Sequence, residues 1–309
     1  MQIRILPANA AAITQVVKDL RAGQPVAIPT ETVYGLAAIA LNEDAVARVF
    51  KVKARPTSHP LIIHVSPNDD LNRWGMMNEP AQQLAKTIWP GPLTLLVPRT
   101  SLVPDWVTGG RNTVALRIPA HDMTLALLDA VGDAVVAPSA NRFGQVSPTI
   151  AKHVINDLGE SVDLVLDGGP CAIGIESTIV ECTDSSVQIL RPGKITALEI
   201  ATITGITISE MDGPSRAPGM LLAHYAPKAK VELTSSINEA QERRDHYTNS
   251  GVTTQIVHHE DSAIYALSLY DDLRAADLND IHVVVAVLPP DEGLGIAIRD
   301  RLVKAAASN

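Results

Sequence analysis

Hydrophobic positions along the chain switch between a helical spacing and short continuous runs. Ile13, Val16, Val17 and Leu20 recur three and four residues apart, which predicts an amphipathic helix over 10–22 with Gly23 as its stop. Residues 26–28 read as a short strand closed by Pro29, and Asn42-Glu43-Asp44 predicts the start of a helix carrying Val46, Val49 and Phe50. Apolar runs at 61–65, 93–97, 114–118, 135–137, 164–166, 177–180 and 187–190 predict further strands. Strands alternating with helices predict an α/β domain of roughly 200 residues built on a twisted, mixed sheet.

The pattern then changes. Asp212-Gly213-Pro214-Ser215-Arg216-Ala217-Pro218-Gly219 has no apolar periodicity and reads as a linker. Beyond it, strands at 230–233, 254–258 and 282–288 enclose helices over 238–250 and 263–276. Gly293-Leu294-Gly295 opens a last helix whose Ile296, Ile298 and Leu302 suit a sheet-facing side. The expected organisation is a domain over 1–204, a linker over 205–230 and a small C-terminal α/β domain over 231–309. No internal repeat or low-complexity tract interrupts it.

Composition narrows the reading. Hydrophobic residues make up 46%, but Trp, Tyr and Phe together number only ten, so the core is aliphatic and a base-stacking platform is not expected. The net charge of −9 argues against a general nucleic-acid coat, because such affinity comes from neutralising phosphates. The charge is uneven, −3 over residues 1–200 and −6 over 201–309, which leaves room for a local basic pocket. Cys171 and Cys182 form no disulfide framework and no CxxC pair, and read as structural thiols. The longest apolar run, 283–288, is far below the roughly 20 residues of a membrane span, and residues 1–18 lack a signal-type apolar stretch. A soluble, cytoplasmic protein is expected.

Candidate chemistry gathers in loops after predicted strands. Pro29-Thr30-Glu31-Thr32-Val33-Tyr34-Gly35-Leu36 offers hydroxyls and a carboxylate, although threonines bonded to their own turn would look the same. Lys51, Lys53 and Arg55 place three cations within five residues, suited to a polyphosphate or simply to a helix C-terminus. His64 on an apolar strand reads by default as a core histidine, whereas Arg117 between Leu116 and Ile118 needs either an acidic partner or a site. Ser139 and Asn141, then Asp167-Gly168-Gly169 and Gly174-Ile175-Glu176-Ser177-Thr178, and finally Arg191-Pro192-Gly193 continue the series. No P-loop, GxGxxG, HExxH or GxSxG pattern is present, and His258-His259-Glu260-Asp261 reads as a solvated strand end. Hydroxyls, backbone amides and separate cations suit binding and orienting an anionic nucleotide beside a small polar substrate.

As a set, these motifs resemble the YrdC-domain family. The resemblance rests on Pro29 to Leu36, Lys53-Ala54-Arg55-Pro56 with Pro60-Leu61 and His64, Pro138-Ser139-Ala140-Asn141, and Gly174 to Thr178 with Arg191-Pro192-Gly193. Pro218-Gly219-Met220, His224-Tyr225-Ala226-Pro227-Lys228 and the Gly293 to Leu302 segment resemble the linker and C-terminal domain of its two-domain branch. The resemblance implies a YrdC-like mixed sheet with a smaller Rossmann-like domain. It implies a nucleotidyltransferase that makes threonylcarbamoyl-AMP and pyrophosphate from L-threonine, bicarbonate and ATP, with Mg2+ accompanying ATP. The product would pass to a tRNA threonylcarbamoyl transferase, with any tRNA contact indirect and no membrane involved. Carried over by motif, Lys53 and Arg55 would hold the phosphates as catalytic residues. His59, Thr113, Ser139, Asn141, Ser147 and Arg191 would complete the ATP site, with Tyr225 closing over it. Thr32, His64, Arg117 and Ser177 would hold L-threonine, and no residue is expected to bind a metal directly. The alternatives are a double-stranded RNA or tRNA-binding module without turnover, and a carbamoyl-adenylate module of hydrogenase maturation. The latter would bring zinc-finger and acylphosphatase-like segments, which the sequence does not show.

Overall fold

The computed structural model describes residues 3–7, 9–182, 187–208, 216–219 and 224–308. The first part of the chain contains β1 (Arg4–Pro7), α1 (Ala10–Arg21), β2 (Val26–Ile28), β3 (Gly35–Ile39), α2 (Glu43–Lys53) and β4 (Ile62–His64). It continues with α3 (Glu79–Ile88), β5 (Leu93–Pro98), α4 (Asp105–Thr108), β6 (Thr113–Arg117), α5 (Asp122–Val131) and β7 (Val135–Val136). Then come α6 (Ala151–Leu158), β8 (Leu164–Asp167), β9 (Thr178–Cys182), β10 (Val187–Arg191) and α7 (Ala197–Thr204). These ten strands form one mixed sheet in the order β1-β8-β2-β3-β7-β4-β6-β5-β9-β10.

A second, parallel sheet of three strands, ordered β11-β13-β12, is built from β11 (Lys230–Thr234), β12 (Thr254–Val257) and β13 (Val283–Val287). It carries α8 (Ile237–Asn249), α9 (Ser262–Leu278) and α10 (Leu294–Ala306). β13 is buried at every position, as the central strand of a covered parallel sheet must be. Helix starts follow the polar signals in the sequence: Asn9, Asn42, Asn78, Ser236 and Asp261 each accept from a first-turn amide, and Thr196 with Glu199 forms a capping box.

Two segments depart from the sequence reading. Gly35–Ile39, expected to begin as loop, is β3, antiparallel to β2, so residues 29–34 connect two paired strands rather than leading away from the sheet. Its Ala37 and Ala38 have little intrinsic strand preference, and burial on both faces selects the strand. Arg4–Pro7, for which no strand was expected, is an edge strand parallel to β8, held by backbone pairing that four mostly exposed residues do not advertise. Of the expected linker, residues 209–215 and 220–223, Met220 among them, lie outside the described residues.

The two sheets' layers meet through polar contacts as well as packing. Arg274 on α9 makes a two-pronged pair with Asp157 on α6, at 2.8 Å and 2.6 Å, and also donates to the Val146 and Ser147 carbonyls. Both side chains are nearly buried, so losing one leaves the other charge without its partner. Arg274→Met is expected to cost about 3 kcal/mol, seen as a lower urea midpoint. An unchanged midpoint would show that the pair contributes nothing to the junction.

Candidate functional site

Strand geometry creates the site. β4 and β6 are adjacent and parallel, with Ile62 opposite Ala115 and His64 opposite Arg117. Because side chains alternate between faces, Ile63 and Leu116 enter the main core, while Ile62, Ala115, His64 and Arg117 share the opposite face. On that face lies a cavity whose lining includes Thr32, Arg55, His64, Arg117, Ser139 and Arg191. Glu176 lines it too, and Pro218, Gly219, His224 and Tyr225 from the connection between the sheets complete it.

Local chemistry aims each group. Thr30 is consumed by its own turn: its Oγ1 donates to the Val33 carbonyl at 2.6 Å and accepts from the Thr32 and Val33 amides. Thr32 is thereby presented to Arg117, whose Nη2 donates to Thr32 Oγ1 at 2.9 Å. Arg117 also has its acid, since Nη2 lies 2.8 Å from Glu31 Oε1 and both side chains are almost fully buried. It is therefore both paired and cavity-facing. At the end of α2, Ala54 adopts a left-handed φ of 52°, which lets Lys53 turn inward and Arg55 turn toward the cavity.

Lys53 stands in the wall, not the lining: its Nζ donates to the Ser139 and Asn141 carbonyls and fixes that loop. Ser147 Oγ donates to Glu176 Oε1, Ser177 accepts from Arg191 Nη2 at 3.0 Å, and Asn141 Nδ2 bridges to the Arg142 and Gln145 carbonyls. Ser147, Ser177 and Asn141 also lie behind the cavity surface, whereas Glu176 and Arg191 line it. His59, half-buried against the Phe143 ring, and Thr113, at the start of β6, do not line it.

Glu176 and His224 stood in recognised motifs without a role, and Arg216 stood only in the linker. Glu176 accepts from Ser147, Tyr270 and Arg301, the last 125 residues away, a separation at which sequence gives no pairing signal. Arg216 grips both oxygens of Glu181 on β9, at 2.9 Å and 2.8 Å, and so fastens the start of the covering segment.

The electrostatics are strongly biased toward positive charge. Burial and the neighbouring Arg55 push the Lys53 ammonium well below its ordinary range. Burial, with Arg191 nearby, lowers Arg55 to about 10, and burial lowers Arg191 too. Burial alone would raise Glu176, but Arg301, Arg191 and Ser147 hold its carboxyl at about 2, so it stays ionised. Burial keeps His64 and His224 neutral, each near 3. Arg55 Nε, His224 Nδ1, Asn141 Oδ1 and Tyr225 Oη are buried with no hydrogen-bond partner among the described residues. Arg55 Nε and Tyr225 Oη, donors without a partner among the described residues, together with the cations Arg55 and Arg191 in the lining, give the cavity a character that suits an anion. Burial raises Cys171 and Cys182 to about 12, so both thiols are inert.

The fold and cavity thus define a two-sheet α/β protein with a partly open cavity lined by cations on one face of its larger sheet. A family model described as telomere recombination, that of the Sua5, YciO and YrdC proteins, matches residues 18–193. A second, described as the C-terminal domain of threonylcarbamoyl-AMP synthase, matches 195–307. The chain belongs to this family, in its branch with the added C-terminal domain. It is 38% identical to the threonylcarbamoyl-AMP synthase of Bacillus subtilis (strain 168), across 97% of this chain and 94% of that one. It is 37% identical to the enzyme of the same name from Pyrococcus abyssi, across 93% and 91%. The crystal structure of P. abyssi Sua5 complexed with L-threonine superposes with a TM-score of 0.93 at 35% identity, covering 99% of this chain and 98% of that one.

The neutral histidines give a pH prediction. Because the folded values of His64 and His224 lie below the ordinary 6.5, protonation favours the unfolded chain, and stability falls as pH drops from about 6.5 toward 3. The carboxyl of Glu176 adds a second loss, beginning below about 4.5 and complete near 2. His64→Gln is expected to flatten the first slope in urea titrations between pH 6.5 and 4 while leaving stability at pH 8 nearly unchanged.

Proposed function

We propose that the chain catalyses formation of threonylcarbamoyl-AMP from L-threonine, bicarbonate and ATP, with release of pyrophosphate, as a nucleotidyltransferase. The observation that carries this reading is the cavity lined by Arg55 and Arg191, with Lys53 buried behind them and partnerless polar atoms among its walls. A triphosphate would supply the counter-charge that these buried cations lack, burial being what lowers each of them. High-coverage relatives carrying the synthase name support it further. A module that binds RNA without turnover accounts less well for a covered cavity in a chain of net charge −9.

In this reading Arg55 and Arg191 contact the phosphates, with Ser139 beside them. Lys53, Asn141 and Ser147 shape the nucleotide wall, and His59 and Thr113 extend it toward the adenosine. Arg117 takes the threonine carboxylate as a two-pronged partner, with Thr32, neutral His64 and Ser177 around it. The threonine amine attacks carbon dioxide or bicarbonate, losing a proton and, from bicarbonate, hydroxide. An oxygen of the resulting carbamate then attacks the α-phosphorus, and the bond to pyrophosphate breaks. Tyr225, His224 and Gly219 cover the cavity and exclude water from the labile carbamate. Catalysis rests on positioning and charge stabilisation.

Mg2+ belongs to the same proposal, but the residues make no cage for it. Among the described residues no three His, Cys, Asp or Glu are grouped to hold an ion, and Glu176 is fully engaged by its donors. The ion would travel on the triphosphate oxygens. The division into a catalytic domain over 1–204, a linker over 205–230 and a smaller domain over 231–309 goes with this reading, as do cytoplasmic location and transfer of the product to a tRNA-modifying partner. No helix among the described residues is long and apolar enough to cross a membrane.

Pyrophosphate release is expected to require L-threonine and bicarbonate together, with a carbamoylated AMP in the product. Release independent of threonine would overturn the reading. Arg55→Ala should lower kcat/KM for ATP by roughly a hundredfold, about 3 kcal/mol of transition-state binding. Arg117→Ala is best combined with Glu31→Gln, which avoids stranding a buried carboxylate. That double variant should lose threonine-dependent turnover while still binding ATP.

A further inference from the structure

Arg55 and Arg117 line the same cavity but are held in different ways. Arg117 has Glu31 as its acid, whereas Arg55 has no ion pair among the described residues. Its Nη2 donates to the Pro60 carbonyl at 2.9 Å, and its Nε is buried with no hydrogen-bond partner. What meets the guanidinium instead is a ring: its central carbon lies over Phe143, 5.5 Å from the ring centre. Phe143 is one of two phenylalanines in the chain and is partly buried. Two histidine rings stand edge-on to it, His59 at 5.1 Å between centres and 75°, His224 at 6.0 Å and 86°.

The backbone ties that ring to the helix end that carries Arg55. The Phe143 amide donates to the Lys53 carbonyl at 2.9 Å, and Arg142 Nη1 donates to the Val52 carbonyl at 2.7 Å. Lys53 Nζ donates back to the Ser139 and Asn141 carbonyls, and Asn141 Nδ2 closes the loop onto the Gln145 carbonyl at 2.7 Å. Phe143 and Arg55 therefore sit on two segments that cannot separate without breaking several of these bonds. A carboxylate partner would occupy guanidinium N–H groups and cancel the charge. A ring face holds the planar cation by its flat side and leaves the in-plane N–H groups free. Arg55 thus keeps both its charge and its Nε–H, and it lines the cavity while Phe143 stands behind it.

We infer that Phe143 is a positioning residue for Arg55: its ring face, steadied by His59, holds the guanidinium at the cavity wall with its remaining donors free for a phosphate. This deepens the nucleotide reading above and rests on it for the ligand, while the contact between ring and guanidinium has a test without ligand. It also gives His59 a part. Expected from its motif to touch ATP, His59 lies outside the cavity lining and acts at one remove, through Phe143.

In the unliganded full chain, the Arg55 Nε–Hε resonance, identified by its loss in Arg55→Met, should carry a ring-current shift. Phe143→Leu should remove that shift, and Phe143→Tyr should keep it. By calorimetry, Phe143→Leu should weaken binding of ATP and of inorganic pyrophosphate roughly tenfold and leave L-threonine binding unchanged. Phe143→Tyr should hold both anion affinities within about twofold of the original. An Arg55 resonance that does not move in Phe143→Leu would overturn the contact. Unchanged anion affinity in Phe143→Leu would overturn the positioning role. So would an equal loss in Phe143→Leu and Phe143→Tyr, because a ring face would then not be what matters. If Phe143→Leu fails to fold, Phe143→Met keeps an apolar side chain without a ring and carries the same expectations. Failure of the unsubstituted chain to bind ATP would instead count against the nucleotide reading and leave the resonance to decide the contact.

Discussion

Buried positive charge governs this structure. Lys53, Arg55, Arg117, Arg191 and Arg301 surround one cavity, and each must be matched where water cannot reach. Glu31 answers Arg117, and Glu176 answers Arg301 and Arg191. Backbone carbonyls of Ser139 and Asn141 answer Lys53. The count still favours the cations, and Arg55 and Arg191 of that excess line the cavity.

The placement of these charges follows from the sheet. Parallel β4 and β6 bring His64 and Arg117 side by side on the face opposite the main core. The β2–β3 connection then delivers Thr32 and Glu31 to the same spot, because β3 returns antiparallel instead of leaving the sheet. Apolar Ile62, Leu96, Ala115, Ile179 and Leu190 finish this face and receive Ala217 of the covering segment. One face of the sheet carries the main core; the other carries a second core under α1 and α5 and, beside it, the site and its cover.

Much of this was legible in the sequence because its signals are local. Asn9, Asn42 and Asp261 marked helix starts, and continuous Val, Ile and Leu runs marked buried strands. Arg117, a cation inside an apolar strand, called for an acidic partner or a cavity and has both, and the motif set around Arg55, Ser139 and Arg191 named most of the cavity's lining. The short edge strand Arg4–Pro7 and the alanine-bearing strand Gly35–Ile39 were not legible, since pairing partners rather than propensity make them strands. Lys53 was readable as one of three close cations but not as the clamp on two carbonyls, 86 and 88 residues away.

Sequence alone determined the α/β class, the aliphatic core, the inert thiols and the identity of the charged groups that gather at the cavity. Those properties depend on spacing and side-chain type along the chain. Tertiary structure decided which charges are paired, which polar atoms lack partners, and that α9 and α10 reach Glu176 through Tyr270 and Arg301. Pairing across 125 residues is set by how sheets and helices pack, and burial then turns an ordinary arginine or glutamate into a group whose charge the whole fold must balance.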